Sequence, residues 1–134
     1  MSLLTNTYKW VSIKRGDDLP KNAIYSCKTY NDGPVYIGGF DNIPGKVNLK
    51  HNKIWNFWVR ELGSRQFGEI LVMNTTYTWK EISRGDLIPS NALYCGFNNH
   101  GDKVWVGRST SGVPGKINCE HNEASNPTMC NLWT

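Results

Sequence analysis

Pro44-Gly45-Lys46-Val47-Asn48 and Pro114-Gly115-Lys116-Ile117-Asn118 are one phrase written twice, 70 positions apart. Upstream of it the agreement continues at an offset of 69. Tyr8-Lys9-Trp10 returns as Tyr77-Thr78-Trp79, and Arg15-Gly16-Asp17, Pro20, Asn22-Ala23 and Tyr25 return as Arg84-Gly85-Asp86, Pro89, Asn91-Ala92 and Tyr94. Downstream, His51-Asn52 meets His121-Asn122, again 70 positions on. Residue types, order and spacing agree along most of the chain, which marks an internal duplication of one supersecondary unit. The copies divide as residues 1–73 and 74–134, read as one fused body because a unit of about 65 residues is marginal alone.

Each copy reads as short strands separated by turns. A tryptophan opens an alternating segment, Arg-Gly-Asp marks a polar turn, and Ala23-Ile24-Tyr25 or Ala92-Leu93-Tyr94 is a short apolar run. Asn31-Asp32-Gly33 or Asn99-His100-Gly101-Asp102 then turns into Val35-Tyr36-Ile37-Gly38 or Val104-Trp105-Val106-Gly107, the second arm of a hairpin. Pro-Gly-Lys reads as a tight turn, with Val47 or Ile117 beginning the next strand. With 13 Gly and 6 Pro in 134 residues and no helical stripe, the expectation is an all-β fold of two tandem, pseudo-twofold-related repeats of short antiparallel strands. Ser2-Leu3-Leu4 precedes the first Tyr-x-Trp as Glu69-Ile70-Leu71-Val72-Met73 precedes the second, a wrap-around phasing that suggests strand exchange between the halves.

The chain resembles the DM-nine repeat family. The resemblance rests on Gly85, Pro89, Ala92, Trp105-Val106-Gly107-Arg108 and Pro114-Gly115-Lys116-Ile117, with the first copy closing at Glu69-Ile70-Leu71-Val72. It implies two intertwined all-β repeats and a mannose-binding lectin of innate immunity, often dimeric, that recognises microbial glycans. A sugar site needs a carboxylate or amide beside a cationic donor, usually with an apolar surface near it. The resemblance places that donor at Lys46 and Lys116 and its partner three positions before the hairpin glycine. Those positions hold Tyr30 and Asn98, neither of them Asp, so the second site is the better candidate and the first is altered. Asp32 and Asp102 lie close enough to substitute, Asp41 stands just before Pro44-Gly45-Lys46, and Arg108 on the rim of the second copy is replaced by Gly39 in the first.

The aromatic residues divide between core and surface. Trp10 and Trp79 read as core. In Ile54-Trp55-Asn56-Phe57-Trp58-Val59, alternation puts Trp55 and Phe57 on one face and Trp58 on the other, and a subunit or inter-repeat interface is favoured over a ligand platform. A homodimer follows as an expectation.

Catalysis is disfavoured. His51 and His121 recur in His-Asn pairs that suit structural hydrogen bonds, Asp17 and Asp86 recur as turn caps, and no nucleophile elbow, phosphate loop or zinc grouping is present, so neither cofactor nor metal is expected. The runner-up is an intracellular module that has lost sugar binding and binds anionic lipid or nucleic acid. Its basis is the basic run Lys46 to Lys53 beside Trp55, Phe57 and Trp58, set against a net charge of only +4 and the alternative of a solvated edge strand. Cys27, Cys95, Cys119 and Cys130 lack CxxC spacing and read as free thiols. With no signal peptide or apolar span, this points to the cytoplasm, with non-classical export for a lectin that acts outside. Asn74-Thr75-Thr76 matches a glycosylation sequon but reads as a bare turn.

Overall fold

The computed structural model describes residues 1–5, 7–98, 100–119 and 125–134, and among them every regular element is a β-strand. The first sheet holds β2 (Lys9–Lys14), β3 (Tyr25–Thr29), β4 (Gly33–Phe40), β5 (Ile43–Lys50), β6 (Lys53–Val59), β7 (Gly63–Arg65) and β8 (Phe67–Val72). Its order is β2-β8-β4-β5-β6-β7, with β3 also on β4. The second sheet holds β1 (Ser2–Leu4), β9 (Thr78–Lys80), β10 (Tyr94–Phe97), β11 (Lys103–Arg108), β12 (Pro114–Cys119) and β13 (Met129–Trp133). Its order is β13-β12-β11-β1-β9, with β10 also on β11.

The two sheets repeat one wiring, and the chain start completes the second. β1, which leads into the first copy, pairs with β9 and β11, whereas β8, which leads into the second copy, pairs with β2 and β4. Leu3 lies opposite Trp79 as Leu71 lies opposite Trp10. Both leucines are fully buried and join Ile24, Ile37, Met73, Leu93 and Val106 in a core shared by the two sheets. Burying one such aliphatic side chain is worth roughly 1.5–3 kcal/mol, so the sheets stabilise each other through this seam. Each sheet also curls over a core of its own, one around Val47, Ile54, Phe57 and Ile70, the other around Trp105, Ile117, Cys119 and Met129.

The turn chemistry recurs as well. The Asp17 carboxylate accepts the Lys14 N–H at 2.9 Å, and the Asp86 carboxylate accepts the Ser83 N–H at 2.8 Å. Arg15 Nε donates to the Trp55 carbonyl at 2.7 Å, and Arg84 Nε donates to the Cys130 carbonyl at 2.9 Å. Each Arg-Gly-Asp turn is thus capped by its aspartate and tied by its arginine to the last long strand of its own sheet. His51 and Asn52 form the β5–β6 turn with φ of 53° and 62°, so the recurring pair has a backbone role in the first copy. His121 and Asn122 lie outside the described residues. None of the four cysteines forms a disulfide.

The Pro-Gly-Lys phrase corrects the reading of it as a turn. Pro44-Gly45-Lys46 lies inside β5 and Pro114-Gly115-Lys116 opens β12. The connection in the first copy is Asp41-Asn42, two residues with φ of 55° and 65° that join Phe40 to Ile43, the positive-φ geometry of a tight hairpin. Proline is tolerated near a strand start, where one ladder donor can be spared. The glycines are required by close approach: a Cβ on Gly45 would run into the Trp58 carbonyl oxygen, and one on Gly115 into that of Trp133.

Candidate functional site

Because Pro-Gly-Lys is strand, both lysines have a defined face. Lys46 lies opposite Ile37 and Trp58, and Lys116 lies opposite Val106 and Trp133. Directly opposed residues in an antiparallel pair share a face. Ile37 and Val106 belong to the shared core, so each lysine stands on the seam side of its sheet, with an indole as lateral neighbour.

In the first copy Lys46 Nζ donates to Asp32 Oδ2 at 2.6 Å. The two side chains keep 24% and 27% of their exposure, so the pair borders solvent. Asp32 is held in the β3–β4 turn, where its N–H donates to Thr29 Oγ1 at 3.0 Å. Trp58 is 37% exposed on the same sheet face as Lys46. Tyr30, in the same turn as Asp32, projects fully into solvent. Asp41 is an exposed member of the β4–β5 turn, and the ion pair of Lys46 goes to Asp32 rather than to it.

The second copy is built differently. Lys116 Nζ donates to Glu61 Oε1, a carboxylate from the turn between β6 and β7 of the other sheet. His100 Nε2 stands 3.6 Å from Glu61 Oε2. The Lys116 side chain is only 5% exposed, Glu61 26% and His100 65%, so this cluster presents a carboxylate and an imidazole to solvent while the ammonium is covered. Accessibility therefore favours the first lysine, where the sequence favours the second.

Asn98 is buried, and its Oδ1 accepts the N–H groups of His100 at 3.0 Å and Asp102 at 2.9 Å. It builds the turn that carries His100, and Asp102 belongs to that turn through its backbone. Arg108 is engaged elsewhere. Its guanidinium lies 4.1 Å from the centroid of Trp79, and Nη1 donates to the Ser26 carbonyl at 3.5 Å. Burial pulls its pKa below the ordinary arginine value.

Glu61, His100, Trp58 and Trp133 complete these clusters, and no sequence motif marks them as site residues. Glu61 reaches Lys116 across 55 positions of sequence from a turn that carries no motif. Trp58 and Trp133 become lysine neighbours only through strand register. Trp55 is half-buried beneath Arg15 and Lys50, at 3.9 Å and 4.5 Å from its ring centroid.

The fold and site together define an all-β protein of two like-wired sheets, with a lysine–carboxylate pair at each side of the seam between them. The chain belongs to the DM9 (DM-nine) repeat family, whose model, described as DM9 repeat, matches residues 39–129. Comparison with curated proteins and with solved structures gives no match.

Proposed function

We propose that this protein is a non-enzymatic lectin that binds mannose-type sugars, with Lys46, Asp32 and Trp58 as its principal site. The observation that carries the reading is the 2.6 Å pair of Lys46 and Asp32, each about a quarter open to solvent, beside the exposed Trp58. Vicinal hydroxyls both donate and accept. The ammonium donates to one sugar oxygen, the carboxylate accepts from the next hydroxyl, and the indole covers the C–H face of the ring. Glu61 and His100 over Lys116 form a second, weaker site that opens through the carboxylate. Two weak sites in one chain, doubled again in a homodimer, would recognise a glycan surface by avidity, as innate recognition of microbial glycans requires.

The basic run that motivates a polyanion reading is internally engaged. Lys46 pairs with Asp32, Lys53 with Asp18, and Lys50 stacks on Trp55. Glycan-array binding followed by titration calorimetry with methyl mannoside tests the proposal. Binding should change little between low and physiological salt, and Lys46→Ala should remove the stronger site and leave only the weaker second one. Retention on anionic vesicles or RNA that collapses with salt, with no neutral glycan bound, overturns it.

A further inference from the structure

Gly39 and Arg108 occupy the same place in the two copies. Gly39 lies opposite Glu69 on β8, and Arg108 exchanges backbone hydrogen bonds with Met1, which precedes β1. In the second copy the Arg108 side chain fills the space above Trp79 and reaches the Ser26 carbonyl of the other sheet. In the first copy the glycine leaves that space open. A cleft of about 130 Å³ remains, lined by Trp10, Phe40, Asn42, Glu69 and by Cys95, the counterpart of Ser26.

The charge beside the two places is also reversed. Met1 brings its terminal ammonium, which donates to the Arg108 carbonyl at 2.6 Å and adds positive charge beside a guanidinium. Glu69 brings a half-buried carboxylate that no hydrogen bond or ion pair reaches among the described residues. The second copy sets a guanidinium beside the Met1 ammonium, on which the Glu81 charge also acts, whereas among the described residues no cation pairs with the Glu69 carboxylate. Arg65, whose guanidinium lies 5.7 Å from the Phe40 centroid, is bound to the Ser64 carbonyl at 2.9 Å and does not line the cleft. The cleft cannot be filled from position 39. The tight Asp41-Asn42 turn brings the Ile43 carbonyl so close that a Cβ there would lie 2.6 Å from its oxygen. The mouth is held by Asn42, whose Nδ2 donates to the Phe97 carbonyl at 3.3 Å.

We infer that the cleft between Trp10 and Glu69 is a seat for a guanidinium group supplied from outside the chain, either a small guanidinium compound or the arginine side chain of a peptide. A guanidinium is planar and weakly hydrated, stacks on an indole and offers a fork of donors to a carboxylate, whereas an ammonium is a compact, strongly hydrated charge. The seat is separate from the Lys46 pair and does not depend on sugar binding.

The test titrates the full chain with methylguanidinium, methylammonium, N-methylurea and a Gly-Arg-Gly peptide. NMR follows the Trp10 indole N–H and the Glu69 side-chain carboxyl carbon. Methylguanidinium should give saturable shifts at both groups and bind at least about tenfold more tightly than methylammonium or the neutral urea. Glu69→Gln should weaken it by about tenfold or more, and Lys46→Ala should leave it unchanged. Tighter binding of the arginine peptide than of methylguanidinium assigns the seat to a polypeptide, and equal binding assigns it to a small compound. If Glu69→Gln does not fold, the comparison with N-methylurea on the native chain decides the matter. The inference is overturned if no guanidinium saturates these signals, or if the urea or the Glu69→Gln variant binds equally well.

Discussion

Lys46 and Asp32, 14 residues apart, meet at 2.6 Å across the inner face of the first sheet while each keeps about a quarter of its exposure. On the proposed function, a pair so placed serves a ligand more than the fold. Lys46→Ala and Asp32→Ala should each remove mannoside heat at the first site. A double-mutant cycle in urea should return a coupling of only about 1 kcal/mol or less, as for other partly solvated ion pairs. A large coupling with unchanged sugar binding would make the pair structural.

The covered pair should behave in the opposite way. Removing the charge of Glu61 leaves the Lys116 ammonium buried without a partner, so Glu61→Gln should cost about 3 kcal/mol in urea denaturation. Lys116→Met combined with Glu61→Gln should recover most of that loss, since a neutral pair no longer leaves an isolated buried charge. A double variant as unstable as the single one would show that the interaction is not electrostatic.

Gly45→Ala and Gly115→Ala should each be severely destabilising, by about 4 kcal/mol or more, because the added methyl meets backbone oxygen rather than a movable side chain. Gly16→Ala is the contrasting control. A Cβ there meets nothing within 4 Å, and the cost is confined to its φ of 91°. Thermal melts of the three variants should separate the two mechanisms.

The cysteines give a pH-dependent signal. Burial pushes the thiols of Cys27, Cys95 and Cys119 up from the ordinary value of 9.0, and the Glu69 charge adds to this at Cys95. Alkylation acts on thiolate, so iodoacetamide at pH 8 should label these three sites more slowly in the native protein than in urea. Their contribution to stability is fully present below pH 9.0. It declines above that value, because the unfolded thiols release protons that the native ones retain. Mass spectrometry of labelled peptides and urea midpoints from pH 7 to 10 check both statements.

The legible part of this protein was its local grammar. Arg-Gly-Asp, with its capping aspartate, behaves as a turn in both copies, and β-branched and aromatic runs ending at Gly38 and Gly107 become β4 and β11. Pro-Gly-Lys misled because those residue types favour turns, whereas here the glycine is needed for close approach of a neighbouring strand. Tyr30 and Asn98 took the positions of interest by spacing, yet one points into solvent and the other builds a turn.

Repetition, strand class and the two lysines were thus determined by sequence alone, because period and turn preference are carried by residues a few positions apart. The partner of each lysine was decided by tertiary structure. Asp32 was within reach of inference from a nearby turn, but Glu61 comes to Lys116 from the opposite sheet, and the space beside Glu69 exists only because Gly39 faces a place that Arg108 fills in the other copy. Such relations arise when two sheets are pressed together around Leu3, Leu71, Ile37 and Val106, and the packing of one sheet on the other has no local code.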